Sequence, residues 1–185
     1  MNNNLQNMLC LDVFLQSLSD THKTHLWQSC IRNFDVTLPL HSLDIISQGW
    51  QIQKKFELQC LVNWSRRFHW QEDIYQILDN SYEALVLTDF ERKILWVNEG
   101  FEIMTGYKSC EAVGRKPIFL QGKSTEPSIR LLFRQKLQEE VNFTLTITNH
   151  RKNGEPYLCK VDIFPLHNAQ NVVSHFLALE TEVVA

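Results

Sequence analysis

The chain has 185 residues, 44% of them hydrophobic and 21% charged, which suits one ordinary globular domain with an appendage. Eighteen basic against 21 acidic residues leave a net charge of −3, which argues against nucleic acid as a partner, because a polyanion calls for a basic surface. No apolar run reaches the roughly 18–20 residues that cross a bilayer. The start, Met1-Asn-Asn-Asn-Leu-Gln6, lacks the basic and apolar regions of a signal peptide. Five scattered cysteines (10, 30, 60, 110 and 159) make no C-x-x-C pair, so neither a disulfide frame nor a cysteine zinc site is indicated. The expectation is a reduced, cytoplasmic protein with no membrane contact.

Composition divides the chain near residue 80. Four of the five Trp and four of the seven His precede it, whereas five of the six Gly follow it. The expected domains are a helical extension over 1–78 and an α+β domain over 79–185. In the extension, Leu11, Phe14, Leu15 and Leu18 have helical spacing. A second helix is expected from Lys23 to Asn33, before Pro39 breaks the pattern. From Ser42, the residues Ile45, Trp50, Leu58, Leu61, Val62, Trp64 and Phe68 predict one long helix or two joined near Gly49. Ile74, Ile77 and Leu78 form a last short face. These apolar surfaces need cover, from the second domain or from a second copy of the chain.

In the second part, Ala84–Thr88 and Lys93–Val97 predict a hairpin through Asp89-Phe-Glu-Arg92. Helices are expected over Glu99–Thr105, Ser109–Val113 and Glu126–Glu140, the last with Ile129, Leu132, Phe133 and Leu137 on one face. Strands follow over 141–150, 156–165 and 171–182, the first two joined by Arg151-Lys-Asn-Gly154, an Asn-Gly hairpin turn. The fold class is α+β: a five-stranded antiparallel sheet with helices packed on one face.

This order, with Gly114-Arg-Lys-Pro-Ile-Phe-Leu-Gln-Gly122 at its centre, resembles a PAS domain of the light-oxygen-voltage (LOV) type. That family carries Gly-Arg-Asn-Cys-Arg-Phe-Leu-Gln-Gly at this place. Thr88-Asp89, Val97-Asn-Glu-Gly-Phe101, Thr105-Gly-Tyr107 and Asn149–Gly154 extend the likeness. The resemblance covers a little over half the chain and implies a flavin mononucleotide (FMN) pocket between sheet and helices. Gln121, Arg134 and Asn149 stand where the family has a pocket glutamine, a phosphate-binding arginine and the first of two flavin-reading asparagines. Strand parity also places Asn149 with Phe143, Leu145 and Ile147.

Five positions depart from the family. Pro117 replaces the cysteine that attacks the excited flavin, and proline has no nucleophile. Lys116 replaces an asparagine, and Ile118 replaces the second phosphate-binding arginine, losing a bidentate contact. Cys159 replaces the second asparagine. Glu180 replaces the glutamine of the last strand, where a carboxylate must be protonated, paired or turned outward.

Plainer readings stand beside these. Gln121 suits a turn cap, Arg134 a solvated helix face, Asn149 a structural hydrogen bond, and Cys159 a small core residue. No histidine lies between His69 and His150, so haem lacks its ligand. His22 and His25 have no partners for zinc. Phosphate-loop, nucleophile-elbow and zinc-protease motifs are absent, and no kinase or cyclase domain is expected after Ala185.

The expectation is therefore a PAS sensory or protein-interaction module with no metal, no retained cofactor, no adduct chemistry and no catalytic output. Its partner is a second copy or a signalling protein, met through the N-terminal helices. The alternative is a cysteine-less FMN-binding sensor that signals by photoreduction, with Gln121, Arg134 and Asn149 holding the flavin.

Overall fold

The computed structural model describes residues 42–183, with side chains from Gln53. The helices expected over Leu11–Leu18 and Lys23–Asn33, and the pair His22 and His25, lie outside those residues. The chain divides into two units between Trp50 and Gln51, and the second carries every strand among the described residues.

Helix α1 runs without a break from Ser42 to Phe68. Gly49 does not split it, because one glycine costs a helix only about 1 kcal/mol. The helix stops where His69 turns left-handed (φ 53°) and Trp70 N donates back to Ser65 O at 3.0 Å, closing the last turn as a Schellman cap. Helix α2, Ile74–Leu78, begins at Asp73, whose carboxylate accepts from Tyr75 N and Gln76 N.

The strands are β1 (Ala84–Asp89), β2 (Ile94–Val97), β3 (Phe143–His150), β4 (Pro156–His167) and β5 (Val173–Glu182). They form one sheet in the order β2-β1-β5-β4-β3, and every pairing is antiparallel. Between β2 and β3 come α3 (Glu99–Thr105), α4 (Ser109–Ala112), a 3-10 turn at Pro117–Leu120 and α5 (Pro127–Gln138). The sequence did not suggest the 3-10 turn; Pro117 sits at its first position, where the missing N–H costs nothing.

The sheet is covered on both faces. Ala84 and Val86 of β1, with Phe176 and Ala178 of β5, face α3–α5. Their neighbours Leu85, Leu87, Leu177 and Leu179 point the other way and pack with Leu61 and Val62 of α1, Trp70, and Ile74 and Ile77 of α2. A central strand apolar at successive positions requires this. Each fully buried Leu contributes about 2 kcal/mol through the area it removes from water.

The outer layer is closed by satisfied polar groups. Glu57 of α1 is 3% exposed yet fully engaged: Oε1 accepts from Asn98 Nδ2 at 2.9 Å and Gln53 Nε2 at 3.3 Å, and Oε2 accepts from the Tyr82 hydroxyl at 2.9 Å. The Asn98 carbonyl meanwhile accepts from Leu85 N (2.8 Å) and from Phe101 N (3.0 Å), capping α3. Burial, with Glu57 beside it, drives the Tyr82 hydroxyl pKa upward, so it remains a donor. Nearby, Trp70 Nε1 donates to His175 Nδ1 at 3.1 Å, and burial holds the His175 pKa below its usual value, in the neutral form that accepts this bond.

Candidate functional site

Between the inner sheet face and α5 lies a cavity of about 500 Å³. One edge of its rim is stitched down. Gln121 and Asn149 form an isolated antiparallel bridge, Gly122 N donates to Thr125 Oγ1 at 2.9 Å, and Thr125 Oγ1 donates to Thr148 O. The Arg130 guanidinium donates to Gly122 O. A Cβ at position 122 would lie 2.6 Å from the His150 ring, so a side chain there would force that ring to move.

The floor comes from strand parity: Val86 and Thr88 of β1, Ile147 and Asn149 of β3, Val161 and Ile163 of β4, and Phe176, Ala178 and Glu180 of β5. Helix α5 closes it with Phe133 and Leu137, which pack on the core together with Ile129 at i, i+4 and i+8. Leu132, placed on that face by its spacing, is instead 37% exposed. A helix that roofs a cavity presents only a narrow stripe to the core, and none of its residues is fully buried.

The polar lining is graded. Thr88, Asn149 and Glu180 are buried, whereas Arg92, Lys116 and Arg134 are exposed and Arg130 is half-buried. Four wall residues each hold a buried polar atom with no hydrogen-bond partner: Thr88 Oγ1, Gln121 Oε1, Arg130 Nε and Glu180 Oε2. Burial pushes the Glu180 pKa up to about 7, opposed by a hydrogen bond from the Cys159 thiol. Cys159 in turn is driven up by its own burial and by Glu180, so it is a protonated thiol.

Gln121, Arg134 and Asn149 thus stand on the wall of one cavity, Arg134 at its exposed rim. Among the positions that depart from the LOV pattern, Lys116, Pro117, Ile118 and Glu180 line the same wall. Cys159 lies in the core beside Glu180 and not on the wall. Of the described residues, no cysteine lines the cavity.

Sequence reading missed Thr88, Arg92 and Arg130 as wall residues. Thr88 was within reach through its parity with Ala84 and Val86, and Arg130 through its spacing of four from Arg134. Arg92 gave no signal: it joins the wall because the β1–β2 turn puts it in a left-handed conformation (φ 67°).

The residues present fit a flavin phosphate ester. Asn149 and the orphaned Gln121, Thr88 and Glu180 atoms offer donors and acceptors for a ring edge. The cations at the rim suit an anionic tail despite the loss of an arginine at Ile118. Among the described residues, no cluster of three metal-ligating side chains occurs, and no helix is long and apolar enough to cross a membrane.

The family model of the PAS domain matches residues 83–184, and the chain belongs to that family. Its PAS region is 30% identical over 93 residues to a blue-light-activated histidine kinase of Brucella anthropi, a stretch that covers 50% of this chain and 19% of the kinase. It is 32% identical over 96 residues to the bacterioopsin transcriptional activator of Halobacterium salinarum, covering 52% of this chain and 14% of the activator. The chain therefore spans under a fifth of the length of these relatives. Among solved structures, the LOV domain of the Erythrobacter litoralis blue-light-activated histidine kinase superposes with a TM-score of 0.53 at 26% identity, covering 57% of this chain and 100% of that one. This chain carries a PAS domain whose solved structural neighbours include LOV domains, a sensory module of the kind found in signalling proteins.

Proposed function

We propose that the chain is a PAS-type signal-transduction module whose cavity receives a planar heteroaromatic ligand with an anionic tail, of the FMN class. It has no cysteinyl-flavin adduct and no catalytic output of its own. The observation that carries this reading is the set of orphaned atoms on the wall residues, Thr88 Oγ1, Gln121 Oε1, Arg130 Nε and Glu180 Oε2. Each such group costs about 1–3 kcal/mol when buried without a partner, and native domains rarely keep several together unless something satisfies them. The geometry therefore favours the flavin-holding alternative over the empty module.

Asn149 and Gln121 would meet the ring edge, and Arg134, with Arg130, Lys116 and Arg92, the anion. A flavin supplies blue-light absorption and reversible electron uptake when bound. Pro117 on the wall offers no thiol for an adduct, so the signal is a population shift between two packings of the core.

The output passes through residues 1–78, the helical extension that precedes the PAS domain over 79–185. This extension pairs two copies of the chain or engages a signalling partner in the cytoplasm. Phe56, 48% exposed on α1, belongs to the surface available for that contact.

The test is an absorption spectrum of the full-length protein purified in the dark, alone and with added FMN. The expected result is a structured flavin band, with affinity reduced about tenfold or more in Asn149→Leu through loss of a buried amide contact. A colourless protein that takes up no FMN would overturn the reading and leave a protein-interaction module.

A further inference from the structure

Among the wall residues, Glu180 is the one acid, and its protonation decides whether it can donate to a ring edge. It is 4% exposed, lines the cavity and has an oxygen, Oε2, with no partner. Its register neighbours, Ala84 on β1 and Val161 on β4, are both apolar. The ionisable groups packed around it are Cys159 and Tyr157 of β4, both themselves held in their neutral forms by burial and by the nearness of Glu180. Glu83 and Glu182 lie close enough to act on Cys159. The cations Arg92, Lys116, Arg130 and Arg134 share the cavity wall, but Glu180 makes no ion pair with any of them. A carboxylate in this setting is buried without a counter-charge, and burial then favours the neutral acid. A neutral carboxyl differs from its anion in one respect that matters here: it has an O–H to donate.

We propose that Glu180 is the proton-bearing contact of the cavity: its neutral carboxyl donates a hydrogen bond to a ring nitrogen or carbonyl of the bound heteroaromatic, so the ligand binds the protonated protein in preference to the ionised one. This rests on the cavity's being a flavin-class site. Three of the orphaned groups are then complementary to a single ligand edge, and Arg130 Nε is left for the anionic tail. Glu180 donates, Gln121 Oε1 accepts, and the Thr88 hydroxyl serves either way. Burial places the Glu180 pKa at about 7, so the proton is held in weakly acidic solution and lost as pH rises through neutrality. The consequence is affinity that depends on pH near neutrality, a property that an amide at this position cannot confer.

The experiment titrates FMN into the full-length wild type, Glu180→Gln and Glu180→Leu across the neutral range. It also records the infrared carbonyl stretch of protonated carboxyl groups in the ligand-free proteins. Wild-type affinity is expected to fall about tenfold per pH unit above 7 relative to Glu180→Gln, whose amide keeps a donor at every pH. Comparing the two cancels titration of the FMN phosphate itself. Glu180→Leu should bind more weakly than Glu180→Gln throughout. The ligand-free wild type should show a protonated-carboxyl band below neutrality that vanishes in Glu180→Gln. Parallel pH curves for wild type and Glu180→Gln, or absence of that band, overturn this inference alone. FMN binding to none of the three proteins, with the band present, overturns the flavin-class reading and this inference with it.

Discussion

One sheet presents two faces that are finished in opposite ways. On the outer face, under α1 and α2, the buried carboxylate of Glu57 collects three donors, and His175 Nδ1 accepts a hydrogen bond from Trp70 Nε1. On the inner face, a carboxyl buried to the same degree, Glu180, keeps an oxygen with no partner, as do Thr88 and Gln121. Both faces are built from the same alternating strands, so the difference does not come from the sheet. It comes from what covers it. Helix α1 brings its own polar groups to match those it buries, whereas α5 arches over a space and leaves the floor unmatched. A satisfied face is a structural seam; an unsatisfied one is waiting for an occupant.

The contrast can be broken at three places. The largest effect is expected on the outer face, where Leu61→Ala removes a fully buried side chain of α1 and should cost about 3 kcal/mol in denaturant unfolding. A loss below about 1 kcal/mol would mean that α1 does not belong to the folded unit.

The second effect concerns the inner face. The Glu180 pKa is raised in the folded state from 4.5 to about 7, so the unfolded chain releases this proton first as pH rises. Stability of the ligand-free protein should therefore decline between pH 4.5 and 7 and level off above. Relative to Glu180→Gln, the decline should total about 3 kcal/mol, read as melting temperature against pH. Identical profiles for the two proteins would place Glu180 in contact with solvent or a counter-charge.

The third, smallest effect returns to the seam. Glu57→Ala leaves Asn98 and Tyr82 without their acceptor and should cost about 2 kcal/mol. A double-mutant cycle with Tyr82→Phe should show coupling of about 1 kcal/mol. Additive losses would mean that the Tyr82 hydroxyl and Glu57 do not act on each other.

Much of the fold was legible because it is written in short-range pattern. The hairpin turns are set by residues that tolerate left-handed backbone, such as Gly154 (φ 89°), and alternation put Asn149 on the buried face of its strand. The apolar excess between Ser42 and Leu78 was legible as a need for cover. Which surface it covers was not, because that depends on Leu85, Leu87, Leu177 and Leu179 facing away from the other helices, a long-range pairing of layers. The buried Glu57 likewise looks like any surface acid of an amphipathic helix until Tyr82 and Asn98 arrive from elsewhere in the chain. At the candidate site, likeness to the LOV pattern picked out Gln121, Arg134 and Asn149, all of which line the cavity. It also flagged Glu180 as a position where a carboxylate must be protonated, paired or turned outward. The structure has it buried, with burial favouring the protonated form. Arg92 escaped because its place depends on the path of a turn rather than on any periodicity.

The side chain of Asn98 is a single planar amide shared by three layers. Its oxygen serves the backbone of β1 and the first turn of α3, and its nitrogen serves Glu57 on the far side of the sheet. A flat group of this kind cannot turn to follow one partner without deserting the others. The two helical layers are in this sense geared: a roll of α1 that withdraws Glu57 strips Asn98 of an acceptor, and a shift in the opening of α3 pulls on the same tooth from the other side.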